Sequence, residues 1–293
     1  MASGTAIYHP DEVEVREYPG TTDSPEFLAG IVQSSVSASL HEFLAVQRWV
    51  AVANRSSDRR VWCSLLTGTR GFLSTPNEHT VRIDVLPVTE DPLRSGNPSR
   101  ASNIELLAAD CFEKGRVKVK GQMEKSCDGI TVHVREVTSL CRKHIQIHDD
   151  KRSKARRLAP DAPPAMPTCR RDIILNAKQQ EWLRSVDGLF MATYNRLRGP
   201  ECWAPWWPSM SCQVIDNRTL LFPYFSDNGM YNTIANLTHD SHAGLLLLDY
   251  EHGGTLQVTG HAQAIVDNRW TDRLGQASAV VEFTVEETLV SCF

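Results

Sequence analysis

The chain has 293 residues, 41% of them hydrophobic, and a formal net charge of −4. That is a globular composition with room for two modest domains, and its charge offers no overall attraction to nucleic acid. No apolar run approaches the ~18 residues of a membrane helix, the first twenty residues lack a secretion-type apolar core, and eight scattered cysteines read as reduced thiols, so a cytoplasmic protein without membrane or nucleic-acid partners is expected.

An N-terminal extension, 1–39, precedes a short amphipathic helix, SLHEFLAVQ, and three strands, WVAVAN, VWCSLL and TVRIDV. A helix and a closing hairpin follow, the hairpin containing IELLAADCFEKGRVKVKGQM, residues 104–123. The stretch 148–172 is charged and then proline-rich, the composition of a linker. Its KRSKARR run, 151–157, reads as a solvated segment rather than a nucleic-acid patch. The order then recurs: helix AKQQEWLRSV, strands GLFMATY, SCQVID and TLLFPYF, a helix, and the hairpin LLLLDYEHGGTLQVTG.

The recurrence is an internal repeat with a constant offset of 139. Leu106, Leu107, Asp110, Gly115, Val119 and Gly121 fall on Leu245, Leu246, Asp249, Gly254, Val258 and Gly260, and Asn97 falls on Asn236. Short strands at this density predict a mainly β protein with short helices: two small antiparallel barrels of about six strands each. The predicted domains are 40–147 and 173–293. A barrel this small has little interior, so a ligand belongs between the barrels rather than inside one.

SLLTGTRGFLSTPN (64–77), VTSLCRKHIQ (137–146) and LLFPYFSDNGMYNTIANLTHDSHAGLLLLDYEHGGTLQVTG, in this doubled order, resemble the pyridoxamine 5′-phosphate oxidase-related FMN-binding split-barrel superfamily, and more narrowly its branch with two barrels fused in tandem. The resemblance covers roughly residues 40–290. It implies an intrachain pseudo-dimer with FMN in the groove between barrels, the flavin supplying the redox chemistry and the protein positioning it.

Three asparagines, Asn228, Asn232 and Asn236, recur every fourth residue in SDNGMYNTIANL and share a helix face. The resemblance places this segment at the flavin phosphate and ribityl chain, where a helix start presents free N–H groups to an anion. Ser226, Asn228, Asn232 and Thr233 are the candidate contacts there, against capping and backbone roles for the same residues. Asn236, matched in the other copy, is expected to be structural. The first copy would supply the opposite wall from Ser64, Thr67 and Gly68, with Lys143 and Gln146 of CRKHIQ as further cofactor contacts. Thr67 and Gly68 serve equally to shape a turn.

Departures from the family pattern are concentrated at the phosphate. The second-copy positions Ser211, Gln213, Asp216, Asn232 and Thr233 carry no cation, and Asp227 would repel a phosphate. A tryptophan-rich stretch, CWAPWWPSM (202–210), stands where relatives carry a basic, glycine-rich one. Trp203, Trp206 and Trp207, with Trp62 and Phe72, are candidate walls of a substrate pocket, the alternative being packing of that loop on its own barrel. No metal site is expected, because His239 and His242 lack a third ligand at useful spacing.

Two functions follow. One is an FMN-dependent oxidoreductase acting on a small organic molecule, as a monomeric pseudo-dimer or a homodimer. The other is a split barrel without a cofactor that binds or rearranges a hydrophobic small molecule in a tryptophan-lined groove, with His144, Asp216 or Tyr231 as proton-transfer groups. Haem handling is a third, lesser option.

Overall fold

The computed structural model describes residues 32–94, 102–110, 115–140, 168–186, 189–204, 212–224, 232–249, 254–265, 277 and 279–292. The first half contains β1 (Val32–Gln33), α1 (Ala38–Ala45), β2 (Trp49–Arg55), β3 (Val61–Thr67), β4 (Leu73–Asn77), β5 (Thr80–Ile83), β6 (Ser102–Asp110), β7 (Gly115–Lys125) and β8 (Ile130–Leu140). The second contains β9 (Thr168–Asp172), α2 (Ala177–Ser185), β10 (Phe190–Asn195), β11 (Gly199–Trp203), β12 (Gln213–Val214), β13 (Thr219–Tyr224), α3 (Asn232–His239), β14 (His242–Leu248), β15 (Thr255–Ile265) and β16 (Ala279–Cys292). Among the described residues, no helix is long and apolar enough to cross a membrane.

Each half is one eight-stranded antiparallel sheet, and the two orders are the same: β3-β2-β6-β7-β8-β5-β4 and β11-β10-β14-β15-β16-β13-β12, with β1 on β8 and β9 on β16. These are two split barrels in tandem. Each has two more strands than the six expected, β1 and β4 in the first half and β9 and β11 in the second. β9 lies in the stretch whose composition suggested a linker.

The glycines shared by the repeat mark its tightest geometry. A Cβ on Gly121 would lie 2.3 Å from the His133 carbonyl oxygen, and one on Gly260 would lie 2.0 Å from that of Thr284. Both sit at a register shift, Lys120/Gly121 in one barrel and Thr259/Gly260 in the other, so each barrel bends its longest hairpin at the same bulge. α1 is capped by Ser37, and α2 by an Asn176–Gln179 capping box.

One strand differs from expectation. SCQVID is not the hairpin partner of β10; that role belongs to β11, with Tyr194 opposite Pro200, while Gln213–Val214 forms the two-residue edge strand that matches β4. Gly199-Pro200 disguises β11 as a turn, yet Gly199 has a positive φ of 81° just where the hairpin closes. Pro200 is tolerated because β11 is an edge strand.

The strands that read as unbroken apolar runs serve two cores. In β2, Val50 and Val52 point into the first barrel, while Trp49, Ala51 and Ala53 point into a separate cluster outside it. In β14, Leu245 and Leu247 fill the second barrel, while Leu246 and Leu248 join that same outer cluster. Burial on both faces erases the alternation a half-exposed strand would show. The third cluster is the seam between the barrels.

Candidate functional site

The seam is lined by Trp49, Ala51, Ala53, Val61, Cys63, Leu107 and Ala109 from the first barrel and by Phe190, Ala192, Cys202, Ala204, Leu246 and Leu248 from the second. Trp49 meets Phe190 edge-on, with ring centroids 5.6 Å apart. Backbones also approach closely: a Cβ on Gly244 would sit 2.6 Å from the Val61 carbonyl oxygen and 2.8 Å from the Trp62 Cα. Thr259 Oγ1 donates to that same Val61 carbonyl at 2.8 Å. Cys63 and Cys202, separated by the repeat offset of 139, place their Sγ atoms 3.9 Å apart, so they mark the pseudo-twofold relation between the barrels.

On one side of this axis lies a cluster of four charged side chains. Lys118 and Lys120 alternate along β7 with Val117 and Val119, which fill the first barrel, so both lysines face the second barrel. Both ammoniums donate to Glu201 of β11, Lys118 to Oε1 and Lys120 to Oε2. Glu105 of β6 lies behind them, its oxygens 3.6 Å from Lys118 Nζ and 3.4 Å from Lys120 Nζ. The backbone N–H of Cys202 donates to Glu105 Oε1 at 2.7 Å, and Asn232, the first residue of α3, reaches Glu201 Oε1 from Nδ2 at 3.5 Å. Glu105 Oε2 accepts no hydrogen bond from the described residues.

The environment pushes the two carboxyls apart. Burial, together with the negative charge of Glu201, raises Glu105 to about 7. Burial also acts on Glu201, but Lys118 and Lys120 outweigh it and hold Glu201 far below the ordinary carboxylate range. The lysines are raised in turn, burial being outweighed by Glu105 and Glu201. The cluster is therefore neutral when Glu105 is ionised and carries one positive charge when Glu105 is protonated.

The groove related to this one by the repeat has been rebuilt. Trp62 stands at the position equivalent to Glu201, Gln257 at that of Lys118, Thr259 at that of Lys120 and Gly244 at that of Glu105. Trp62 is 2% exposed, with the Arg171 guanidinium 5.8 Å from its ring. Beside it Asp91 is buried and accepts from Ser64 Oγ at 2.7 Å, Leu93 N–H at 2.7 Å and Gln257 Nε2 at 2.6 Å. Burial raises Asp91 against the pull of these donors. Among the described residues, this second groove presents a buried tryptophan and a buried, hydrogen-bonded acid in place of the lysines.

Several residues singled out in the sequence have structural positions. Ser64 is fully buried and spends its hydroxyl on Asp91. Thr67 ends β3, half-buried, and Gly68 makes room for its own barrel: a Cβ there would lie 2.5 Å from Phe72 Cγ. Phe72 belongs to the first barrel's core rather than to a pocket. Trp203 packs on the second barrel's core with its ring 4.7 Å from that of Tyr224. Asp216 closes the exposed β12–β13 turn, accepting from the N–H groups of Arg218 and Thr219 at 2.7 Å each, which lower it further. A carboxylate so committed to a turn is poorly placed to move protons for a substrate.

Asn232 and Thr233 are buried at the start of α3, and among the described residues Asn232 alone of the predicted cofactor contacts joins the charged cluster. Asn236 is structural, donating to Thr193 Oγ1 at 3.0 Å and accepting from Asn195 Nδ2 at 3.2 Å. Lys143, His144, Gln146, Trp206, Trp207, Ser226, Asn228 and Tyr231 lie outside the described residues.

The central residues of the cluster, Lys118, Lys120, Glu105 and Glu201, were not singled out in the sequence. One signal was present: the repeat sets two lysines against Gln257 and Thr259, a charge asymmetry between otherwise matched strands.

No family model and no curated protein matches the chain. Solved structures do. A putative pyridoxamine 5′-phosphate oxidase from Lactobacillus delbrueckii is similar at 20% identity and TM-score 0.31, over 40% of this chain and 98% of that one. HupZ of Group A Streptococcus is similar at 18% and 0.32, over 38% and 90%. A FAD binding protein from Mycobacterium smegmatis is similar at 18% and 0.29, over 41% and 98%.

Proposed function

We propose that the groove bounded by β6, β7, β11 and α3 binds a phosphate-bearing flavin-type cofactor, FMN first, and that the chain is an oxidoreductase acting on a small organic molecule. The observation that carries this reading is the pair of lysine ammoniums that the first barrel delivers to Glu201 of the second barrel's β11, which Asn232 at the start of α3 also contacts. It supplies from across the seam the cations that the second copy lacks in its own sequence.

The donor chemistry fits an anion. Each ammonium has three N–H donors and directs one to Glu201, and with Glu105 protonated the cluster has a positive charge to offer. Lys118, Lys120 and Asn232 would hold the phosphate, and Glu201 would keep the lysines aligned beneath it. The repeat-related groove does not fit, since it presents a buried acid and a tryptophan, so one cofactor per chain is expected. When bound, the flavin supplies hydride or electron transfer. The two barrels of a single chain form both walls, so a monomer suffices.

A second reading rests on Glu105. A buried carboxyl raised to about 7 beside one held low is the pairing that general acid–base chemistry requires, and a cofactor-free split barrel would use Glu105 to move a proton on a small molecule.

Absorbance of the purified protein, followed by FMN titration, separates the two. Flavin bands near ~375 and ~450 nm, saturating at one FMN per chain and lost in a Lys118→Ala/Lys120→Ala variant that still folds, support the first. A colourless protein that binds no added FMN overturns it.

A further inference from the structure

We propose that Cys63 and Cys202 are a modification site: oxidised by hydrogen peroxide, they join in a reversible disulfide that ties the two barrels together across the seam. The inference is independent of the flavin reading. The two cysteines are equivalent in the internal repeat, and both side chains are fully buried on the seam-facing side of their strands. Their Sγ atoms are 3.9 Å apart.

Bond formation requires a closure of about 2 Å. β3 and β11 each end their sheet order, with a backbone ladder on one side only; across the seam each is held by a side-chain hydrogen bond, from Thr259 Oγ1 to the Val61 carbonyl and from Cys202 N–H to Glu105 Oε1, and these must adjust for the sulfurs to close. No other pair among the described free cysteines, Cys63, Cys127, Cys169, Cys202 and Cys212, forms a mutual thiol contact.

The chemistry balances with peroxide as the two-electron oxidant. One thiol gives up its proton and the thiolate attacks a peroxide oxygen, breaking the O–O bond to leave a sulfenic acid and a hydroxide that takes up that proton as water. The second thiol displaces water from the sulfenic sulfur, so two thiols and one peroxide give one disulfide and two waters. The neighbouring Cys63 thiol and burial raise Cys202 well above the ordinary thiol range. Attack is therefore slow in the closed seam and proceeds as the seam opens.

The bond would reach the charged cluster directly. Cys202 N–H holds Glu105 Oε1, and the preceding residue, Glu201, holds both lysines. Pulling β11 toward β3 shifts both carboxylates relative to Lys118 and Lys120.

The test uses the full chain, reduced and then exposed to hydrogen peroxide, with remaining thiols alkylated before digestion and mass spectrometry. The expected product is a Cys63–Cys202 linked peptide pair, lighter than the reduced pair by two hydrogens and released by dithiothreitol. It should be absent from Cys63→Ala and Cys202→Ala, and oxidation should raise the urea midpoint of the wild type but of neither variant. If an alanine variant fails to fold, peptide mapping of the wild type decides alone. Recovery of both cysteines as alkylated or sulfinic forms, or linkage of either to another cysteine, overturns the proposal.

Discussion

Replacing Glu201 by Gln preserves the side chain's shape and removes the counter-ion that both lysines share. Glu201, Lys118 and Lys120 sit in the seam with Glu201 3% exposed, so the two ammoniums would face Glu105 alone. Removing one partner from a buried ion pair costs about 3–5 kcal/mol. With a urea dependence of about 3 kcal/mol per molar, the unfolding midpoint should fall by about 1–1.7 M.

The pH dependence sharpens this. In the wild type burial and then Glu201's charge raise Glu105 to about 7, so stability is lost as pH rises from its ordinary value towards 7 and levels off above it. The variant keeps the burial but lacks that repulsion, so its slope between pH 6 and 8 is shallower. The loss in Glu201→Gln should therefore be larger at pH 6 than at pH 8, by at most about 1.4 kcal/mol. Urea titrations at the two pH values, followed by tryptophan fluorescence, measure both quantities. A midpoint shift below about 0.3 M would show that Glu201 is not the lysines' buried counter-ion, and the reading of the groove would fall with it.

Other outcomes follow from the same geometry. Glu105 has a folded value of about 7 against an ordinary 4.5, so the native state keeps a proton that the unfolded chain releases. Its contribution is present below pH 4.5 and is lost as pH rises to 7, about 3 kcal/mol in all; Glu105→Gln should flatten that slope, and an unchanged slope would refute the assignment. Gly244→Ala places a methyl against the backbone of β3 and should force the barrels apart, lowering the melting temperature by about 6 °C or more; an unaltered transition would mean the seam is looser than described. Asp216→Ala should leave FMN binding unchanged in an absorbance titration, since that carboxylate serves an exposed turn; loss of binding would restore it to the site.

Much of the architecture was legible because repetition and periodicity are local signals. The offset of 139, the paired glycines and the strand–hairpin order read directly from residues, and Gly121 and Gly260 proved to be the two bulges. β11 was not legible, since Gly199 and Pro200 carry a turn signature that only pairing with β10 overrides. Ser64, Phe72 and Gly68 look like a ligand wall in one dimension, yet their partners are Asp91, the barrel core and Phe72 itself.

The amino-acid order by itself determined that one small barrel is written twice and that each copy needs two apolar faces, because side-chain alternation and glycine placement act within a strand or a hairpin. Which of the two grooves between the copies remained charged was decided only in three dimensions. Lys118 and Lys120 meet Glu201 from more than eighty residues away, and no periodicity records a meeting of that kind. The lysines look like the solvated face of a strand until a second barrel covers them, and burial then turns an ordinary pair of cations into the partners of two carboxyls pushed in opposite directions.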